Sequence, residues 1–404
     1  MNVDFSGALS LKRFPFLDAA RGVACIGVVA CHCKFAHYLH WYWGVMDFFF
    51  VMSGFLITRS LIANCDEGRG TLAFFLYRAL RLLPAYLTVM VLYELVIYFI
   101  GTKPQWESLP YVFFYQHLDV VFGGKEIFPR VHEMIPYWSL VVEEHYYMLW
   151  GILFCTFAHA KLRITPATIC GVLLLLVLAI VLRKAGVDWW TLPGRYDGFL
   201  LGSIAGMIIF TPHKVHLSEK TARWLMVIGW FVCGAAFVRL VWSSLLSYRD
   251  VALFNEGRWI DVSCFSIFSV LLVLGMVKLD IRRVHFGKIQ DACAFIGLIS
   301  YEIYLVHFPI VSILKSHFDF ELNGGGIVLF VVTLALSTAI AQLMHKALTA
   351  SALKQREGVL AYIEARLPCK PSARRDAPVG VPLNAAAVSL ACDEPADGHP
   401  ERND

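Results

Sequence analysis

Residues 17–34 read LDAARGVACIGVVACHCK, an apolar stretch with an arginine near one end and a histidine near the other. Ten residues separate Arg21 from His32, which in an α-helix places them ~16 Å apart along the axis, about half the thickness of a bilayer. Ionisable groups are costly inside a membrane segment, so their default interpretation is functional. The stretch therefore predicts chemistry performed within a membrane.

The composition of the whole chain supports a membrane protein. Of 404 residues, 58% are hydrophobic and only 16% are charged, with a mean hydropathy of +0.62. A soluble chain of this size usually carries about 25% charged residues. The net charge of +4 is small and lies mostly in short loops between apolar segments, a pattern of membrane topology. We therefore expect no nucleic-acid partner.

Ten apolar windows divide most of the chain. They cover residues 17–34, 45–63, 82–101, 137–157, 166–183, 196–211, 222–241, 259–277, 293–314 and 326–348. An even number places both termini on one side, and the excess of lysine and arginine in the loops of that side assigns it to the cytoplasm. The predicted fold class is an all-α polytopic membrane protein with about ten transmembrane helices and both termini cytoplasmic.

The domain organisation follows from a change of composition near residue 350. Residues 1–349 form the predicted transmembrane domain. Residues 350–404 are polar and rich in proline and alanine, which is typical of a disordered tail, here on the cytoplasmic side.

Cys31, His32 and Cys33 are neighbours in the chain, but we expect no metal site there. Three consecutive residues of a helix point in different directions, so small apolar filler is the simpler role for both cysteines. The eleven cysteines are scattered and lack the paired spacing of a disulfide framework.

Several polar residues fall at one depth, near the outer ends of the predicted spans. They are His32, Glu143, Glu144, Arg195, Asp197 and His307. A histidine and a carboxylate in a partly dry cavity are the groups needed for general-base activation of a hydroxyl. Structural alternatives stay open: a histidine can meet headgroups, Glu143 and Glu144 can be a packed polar pair, and His307 can cap a helix or bond between helices.

Arg78 and Arg81 form a second basic feature, predicted to lie just before the third span. Their i, i+3 spacing places both on one helical face, as a phosphate clamp requires. The alternative is a pair of ordinary positive-inside anchors.

Five segments of the chain together resemble the membrane-bound acyltransferase-3 family, multi-span enzymes that O-acylate carbohydrates and other acceptors. The segments are LDAARGVACIGVVACHC at 17–33, DFFFVMSGFLIT at 47–58, YRALRLLPAY at 77–86, YWSLVVEEHYYMLW at 137–150 and LISYEIYLVHFPI at 298–310. Each is a weak signal alone, and their order over about residues 14–315 makes the resemblance strong.

The resemblance implies an acyltransferase with an acyl-CoA donor, first of all acetyl-CoA, and an acceptor that is a carbohydrate or a lipid-linked relative. It implies that His32 acts as the base, with direct transfer and an acyl-histidine route both open. It further implies an integral protein of the bacterial inner membrane. The implied donor-binding residues are Arg21, Arg78 and Arg81; Glu143 supports catalysis; and the substrate-contacting or supporting residues are Trp138, Ser139, Glu144, Arg195, Tyr301 and His307.

This sequence departs from the family pattern in two places, and the departures limit which family properties can be assigned to it. Many members end the last span with Glu-x-Pro, whereas residues 343–350 here read LMHKALTA. Several members append a soluble hydrolase-like domain, and we expect only a short tail here. A step performed by that domain would then be absent or supplied by another protein.

Two other classes of function fit part of the pattern. A transporter or flippase also combines many spans with buried charges, but the sequence shows no matching pair of Gly/Pro-broken helices in two halves. A membrane scaffold or sensor has no need of histidines and carboxylates at one depth.

Overall fold

The computed structural model describes residues 13–33, 43–66, 71–99, 136–157, 166–187, 191–210, 251–318 and 325–364, with isolated positions elsewhere. Within these ranges the chain is helical and contains no strand. The helices are α1 (Pro15–His32), α2 (Trp43–Asp66), α3 (Thr71–Phe99), α4 (Trp138–Phe157), α5 (Pro166–Lys184), α6 (Leu192–Phe210), α7 (Val251–Ile281), α8 (Lys288–Leu298), α9 (Ser300–His317), α10 (Gly325–Met344), a π-helical turn (His345–Thr349), α11 (Ala350–Lys354) and α12 (Arg356–Glu364).

Five helical segments among the described residues are long and apolar enough to cross a membrane. They are Pro15–His32, Gly44–Asn64, Leu72–Leu95, Trp259–Ile281 and Gly326–Lys354. The pair α8 and α9, bent by 74°, makes a sixth if it counts as one span. The all-α prediction is confirmed for the described part of the chain. The count of ten spans and the cytoplasmic termini stay predictions, and the window 222–241 lies mainly outside the described residues.

The third helix starts earlier than predicted. It begins at Thr71 rather than at residue 82, so Arg78 and Arg81 lie within α3 and not in a preceding loop. The segment before residue 82 is rich in leucine, alanine and arginine, which are strong helix formers. The loop placement of the two arginines is therefore wrong, and both belong to a candidate membrane-spanning segment.

The C-terminal helices extend beyond the predicted domain boundary at residue 349. The compact unit that contains α1 continues to Leu360, and α12 ends at Glu364. The rest of the predicted tail, residues 365–404, lies outside the described part of the chain, so its disorder stays a prediction.

Helix α1 has clear start signals in its sequence. Pro15 occupies the first turn, where its missing N–H costs no hydrogen bond. Asp18 adds a negative charge at the positive end of the helix and pairs with Arg13 at 2.9 Å. The backbone N–H of Phe16 donates to Asp280 of α7 at 2.9 Å. These contacts hold the end of α1 that carries Arg21.

Two helix crossings depend on glycine. A Cβ on Gly22 of α1 would overlap the backbone of α8 at Cys293, and a Cβ on Gly202 of α6 would overlap the backbone of α2 at Val51. Small residues let helix backbones approach closely in this way. The α1–α8 crossing also sets the position of His307, because α8 leads directly into α9, which carries this residue.

The α2–α6 crossing yields a stability prediction. Gly202→Ala is expected to lower the free energy of unfolding by about 1–3 kcal/mol, because a methyl group there meets backbone rather than a movable side chain. The measurement is thermal unfolding of the purified protein in detergent. Gly275→Ala is the matched control, since a Cβ at Gly275 of α7 meets nothing within 4 Å. Equal stability of Gly202→Ala and the wild type would contradict the tight crossing.

Candidate active site

A cavity of about 340 Å³ lies among α1, α2, α3, α4, α8, α9, α11 and α12. This volume suits a small-molecule ligand. All three predicted phosphate-binding residues line it, namely Arg21, Arg78 and Arg81. The structure therefore brings together three arginines that come from two separate stretches of sequence, one in α1 and one in α3.

The charge of this cavity is strongly positive. Among the described residues, its lining contains the four arginines Arg21, Arg78, Arg81 and Arg356 and a single carboxylate, Glu143. A concave surface with an excess of one charge sign concentrates ligands of the opposite sign. The cavity is therefore suited to an anionic ligand.

Glu143 holds Arg78 in place. Its Oε1 accepts hydrogen bonds from Arg78 at 3.2 Å, from the hydroxyl of Ser53 and from the hydroxyl of Tyr147. The Arg78 guanidinium also lies over the Tyr147 ring, 3.7 Å from the ring centroid. Tyr147 follows Glu143 by one helical turn, so α4 presents both to the same arginine.

Glu143 bonds to the arginine cluster. The sequence predicts it at the depth of His32, and that depth stays a prediction. Among the described residues its hydrogen bonds go to Arg78, Ser53 and Tyr147. Arg78 reaches α4 because α3 starts early and carries this arginine inside the bundle.

His32 contacts a second histidine instead of a carboxylate. The Nδ1 atom of His32 lies 3.0 Å from Nε2 of His307, and the two rings are tilted by 41° with centroids 5.0 Å apart. Phe308 meets the His32 ring edge-on. His307 is buried and His32 is half-buried. For His307, the alternative of an interhelical hydrogen bond is the one that the structure supports.

Hydrogen bonds hold α9 against the start of α4, and a proline in the sequence of α9 accounts for one of them. Pro309 lacks an N–H, so the carbonyl of Leu305 one turn earlier loses its helical partner. The Tyr137 hydroxyl donates to that carbonyl, and the Tyr304 hydroxyl lies 2.7 Å from Ser139 Oγ. These contacts fix the part of α9 that carries His307.

Hydrogen-bond partners assign the tautomers of the two histidines. His307 Nδ1 lies 2.8 Å from the carbonyl oxygen of Tyr304, which only accepts, so Nδ1 carries the proton. In a neutral imidazole Nε2 of His307 is then an acceptor, and His32 Nδ1–H donates to it. The remaining nitrogen of His32, Nε2, keeps its lone pair and is the basic atom of the pair.

The arginine cluster and the histidine pair are connected by one face of α1. Arg21, Cys25, Val28 and His32 follow one another at spacings of four, three and four residues. At about 100° per residue, the step from Arg21 to His32 completes about three turns, so the two side chains leave the helix within about 20° of the same direction. Arg21, Cys25 and Val28 line the cavity, and His32 lies one turn further along the same face.

The remaining predicted residues divide into two groups. Ser139 and Tyr301 line the cavity, and the Tyr301 hydroxyl donates to the backbone of Leu82 at 3.1 Å. Trp138 and Glu144 do not line it: Trp138 packs edge-on against Phe50, and Glu144 is half-buried on α4.

Arg195 also lies outside the cavity lining, in a network of buried charges. It is fully buried and forms an ion pair with Asp47 of α2. Beside it on α6, Asp197 pairs with Arg183 of α5 at 3.0 Å and accepts from Ser263 at 2.6 Å. Arg195 therefore joins α6 to α2 at a buried position outside the cavity lining.

Tyr147 and Arg356 are two of the cavity residues that sequence reasoning missed. Tyr147 has a signal, because it follows Glu143 at i+4. Arg356 has none, because it lies beyond the last apolar window and reaches the cavity only through the packing of α12.

Comparison with protein families agrees with this geometry. An acyltransferase domain of the acyltransferase-3 type matches residues 14–345, which is most of the chain. The chain belongs to this family of acyltransferases, and the family predicted from the five segments is confirmed. Membership and the apolar helices together indicate an integral membrane protein.

Individual curated relatives are only distantly similar to this chain in sequence. The chain is 25% identical over 343 residues to the peptidoglycan O-acetyltransferase OatA of Listeria monocytogenes, covering 75% of this chain and 50% of the relative. It is 24% identical over 361 residues to the O-acetyltransferase OatA of Staphylococcus aureus, covering 83% of this chain and 57% of the relative. The chain thus spans about half the length of these relatives. No solved structure matches it.

Proposed function

We propose that this protein transfers an acetyl group from acetyl-CoA to a hydroxyl group of a bacterial cell-wall glycan, with His32 as the general base. One observation carries the proposal: a cavity lined by four arginines and one carboxylate extends along α1 as far as Val28, one helical turn from His32. Arg21 lies ~16 Å from His32 along this helix. The extended pantetheine arm of CoA is long enough to cover that distance.

The arginine cluster supports an acyl-CoA donor. Guanidinium groups bind phosphates through paired, charge-assisted hydrogen bonds. Arg78 is already oriented by Glu143 and Tyr147, so less freedom is lost when it binds an anion. In this proposal Arg21, Arg78 and Arg81 hold the diphosphate of the donor, and the thioester points toward His32.

The histidine pair supports direct transfer. His32 Nε2 removes the proton from the acceptor hydroxyl, and the hydroxyl oxygen attacks the thioester carbonyl. The C–S bond then breaks, and the imidazolium returns the proton to the leaving thiolate, which departs as free CoA. His307 keeps the second proton of His32 on Nδ1 throughout, so that Nε2 faces the reaction as a base.

The acceptor class comes from the relatives. One of them is a peptidoglycan O-acetyltransferase, so peptidoglycan or its lipid-linked precursor is the first acceptor to test. The Arg21 end of α1 is the side predicted to be cytoplasmic, where acyl-CoA is made, and His32 then lies toward the outer side of a bacterial inner membrane.

The test is acetyl-CoA turnover by the detergent-purified protein with a panel of glycan acceptors. We expect release of free CoA that requires an acceptor, together with an acceptor heavier by one acetyl group in mass spectrometry. Succinyl-CoA run in parallel tests the choice of acyl group. Absence of turnover with both donors, combined with movement of the glycan across proteoliposomes, would replace this proposal by the transport alternative.

A further inference from the structure

Arg356 is a cavity residue from outside the family-matched region of 14–345. It is the first residue of α12, and its guanidinium lies 5.2 Å from the centroid of the Tyr77 ring of α3. The hydroxyl of Tyr77 donates to the neighbouring Glu357 at 2.9 Å. These two contacts dock the start of α12 on α3 at the edge of the cavity.

We propose that Arg356 binds the 3′-phosphate at the adenosine end of the CoA donor. This inference rests on the proposed function, because it assigns one more contact to the same donor. It makes the C-terminal helix part of the donor site, in addition to the arginines of α1 and α3.

The arginines of the cavity differ in how far they are exposed to solvent. The Arg356 side chain is 47% exposed, whereas the Arg78 side chain is 21% exposed and tied to Glu143. Arg78 therefore lies deeper, and Arg356 lies nearer the opening. A donor that enters with its thioester first leaves the adenosine end, with the 3′-phosphate, near the opening.

The existing partner of Arg356 leaves it able to bind a phosphate. Its Nε lies 3.5 Å from Glu357, an ion pair at a half-exposed position, which contributes little stability. Glu357 also accepts from Tyr77, so the carboxylate keeps a partner when the guanidinium turns to a ligand. A doubly charged phosphate is a stronger partner for a guanidinium than this exposed carboxylate.

The experiment compares the binding of CoA with that of 3′-dephospho-CoA to the full-length protein by calorimetry in detergent. For the wild type, we expect CoA to bind about tenfold more tightly. Arg356→Ala should weaken CoA binding by about tenfold and leave 3′-dephospho-CoA binding unchanged, since only CoA carries the phosphate concerned. Arg356→Lys, which keeps the charge, should recover part of the loss. Arg282→Ala is the matched control, an exposed arginine that is not part of the cavity lining.

The outcomes separate the two proposals. If Arg356→Ala weakens the binding of CoA and of 3′-dephospho-CoA equally, or weakens neither, the assignment of the 3′-phosphate to Arg356 is overturned. The acyl-CoA donor class stands in both cases. Failure of the wild type to bind either nucleotide overturns the acyl-CoA donor, and the Arg356 assignment with it.

Discussion

His32→Ala is expected to lower kcat for acetyl transfer by about 10²- to 10⁴-fold, the usual contribution of a positioned general base. CoA binding should change little, because in the proposed site the donor phosphates bind at the arginines, ~16 Å along α1 from the substituted side chain. Steady-state release of free CoA measures the first quantity, and calorimetric titration with CoA measures the second. Normal turnover by His32→Ala would contradict the assigned role.

Controls for this prediction come from two other histidines. His285→Ala removes an exposed imidazole that pairs with Asp291 and does not line the cavity, so it should leave kcat unchanged. His307→Gln keeps an acceptor at the position of Nε2, whereas His307→Asn does not reach it. The glutamine variant should therefore retain more activity than the asparagine variant, by about 10- to 100-fold, the range seen for groups that orient a reacting imidazole. Equal kcat in the two variants would contradict the tautomer assignment.

Arg195→Met is expected to lower the free energy of unfolding by about 3–5 kcal/mol, because it leaves the Asp47 carboxylate buried without its counter-charge. Both side chains of this ion pair are almost fully buried, at 0% and 2% exposed. Water therefore does not replace the lost partner. The measurement is the midpoint of thermal unfolding in detergent, with the yield of monodisperse protein as a second readout.

The double variant Asp47→Leu with Arg195→Met is the decisive control for this prediction. It removes both charges and replaces them by apolar side chains, so it should recover most of the stability lost in Arg195→Met. If the double variant is no more stable than Arg195→Met, the loss of stability comes from the changed side-chain shape and not from the unpaired charge. Wild-type stability of Arg195→Met alone would contradict the buried pair.

The sequence by itself determined the helical class, the family and the three arginines Arg21, Arg78 and Arg81 that line the cavity. Apolar windows predict helices because a membrane requires every backbone group to be bonded within its own segment, and the described helices α1, α2, α4, α5 and α6 lie within a few residues of their predicted windows. The separation of Arg21 and His32 is likewise local, since helical rise alone sets it. The i, i+3 spacing of Arg78 and Arg81 is local too, and both residues share a cavity with Arg21.

Only the tertiary structure decided which polar groups become partners. His32 meets His307, 275 positions away, and Asp47 meets Arg195, 148 positions away. Among the described residues, Glu143 bonds to Arg78, Ser53 and Tyr147, and the sequence did not specify these partners, because span order places a residue in depth and leaves the rotation of its helix undetermined. Helix packing sets that rotation. Gly22 and Gly202 are examples, since each allows its own helix to touch the backbone of a neighbouring helix. A side chain's partner is a property of two helices at once, and the local pattern of one helix does not contain it.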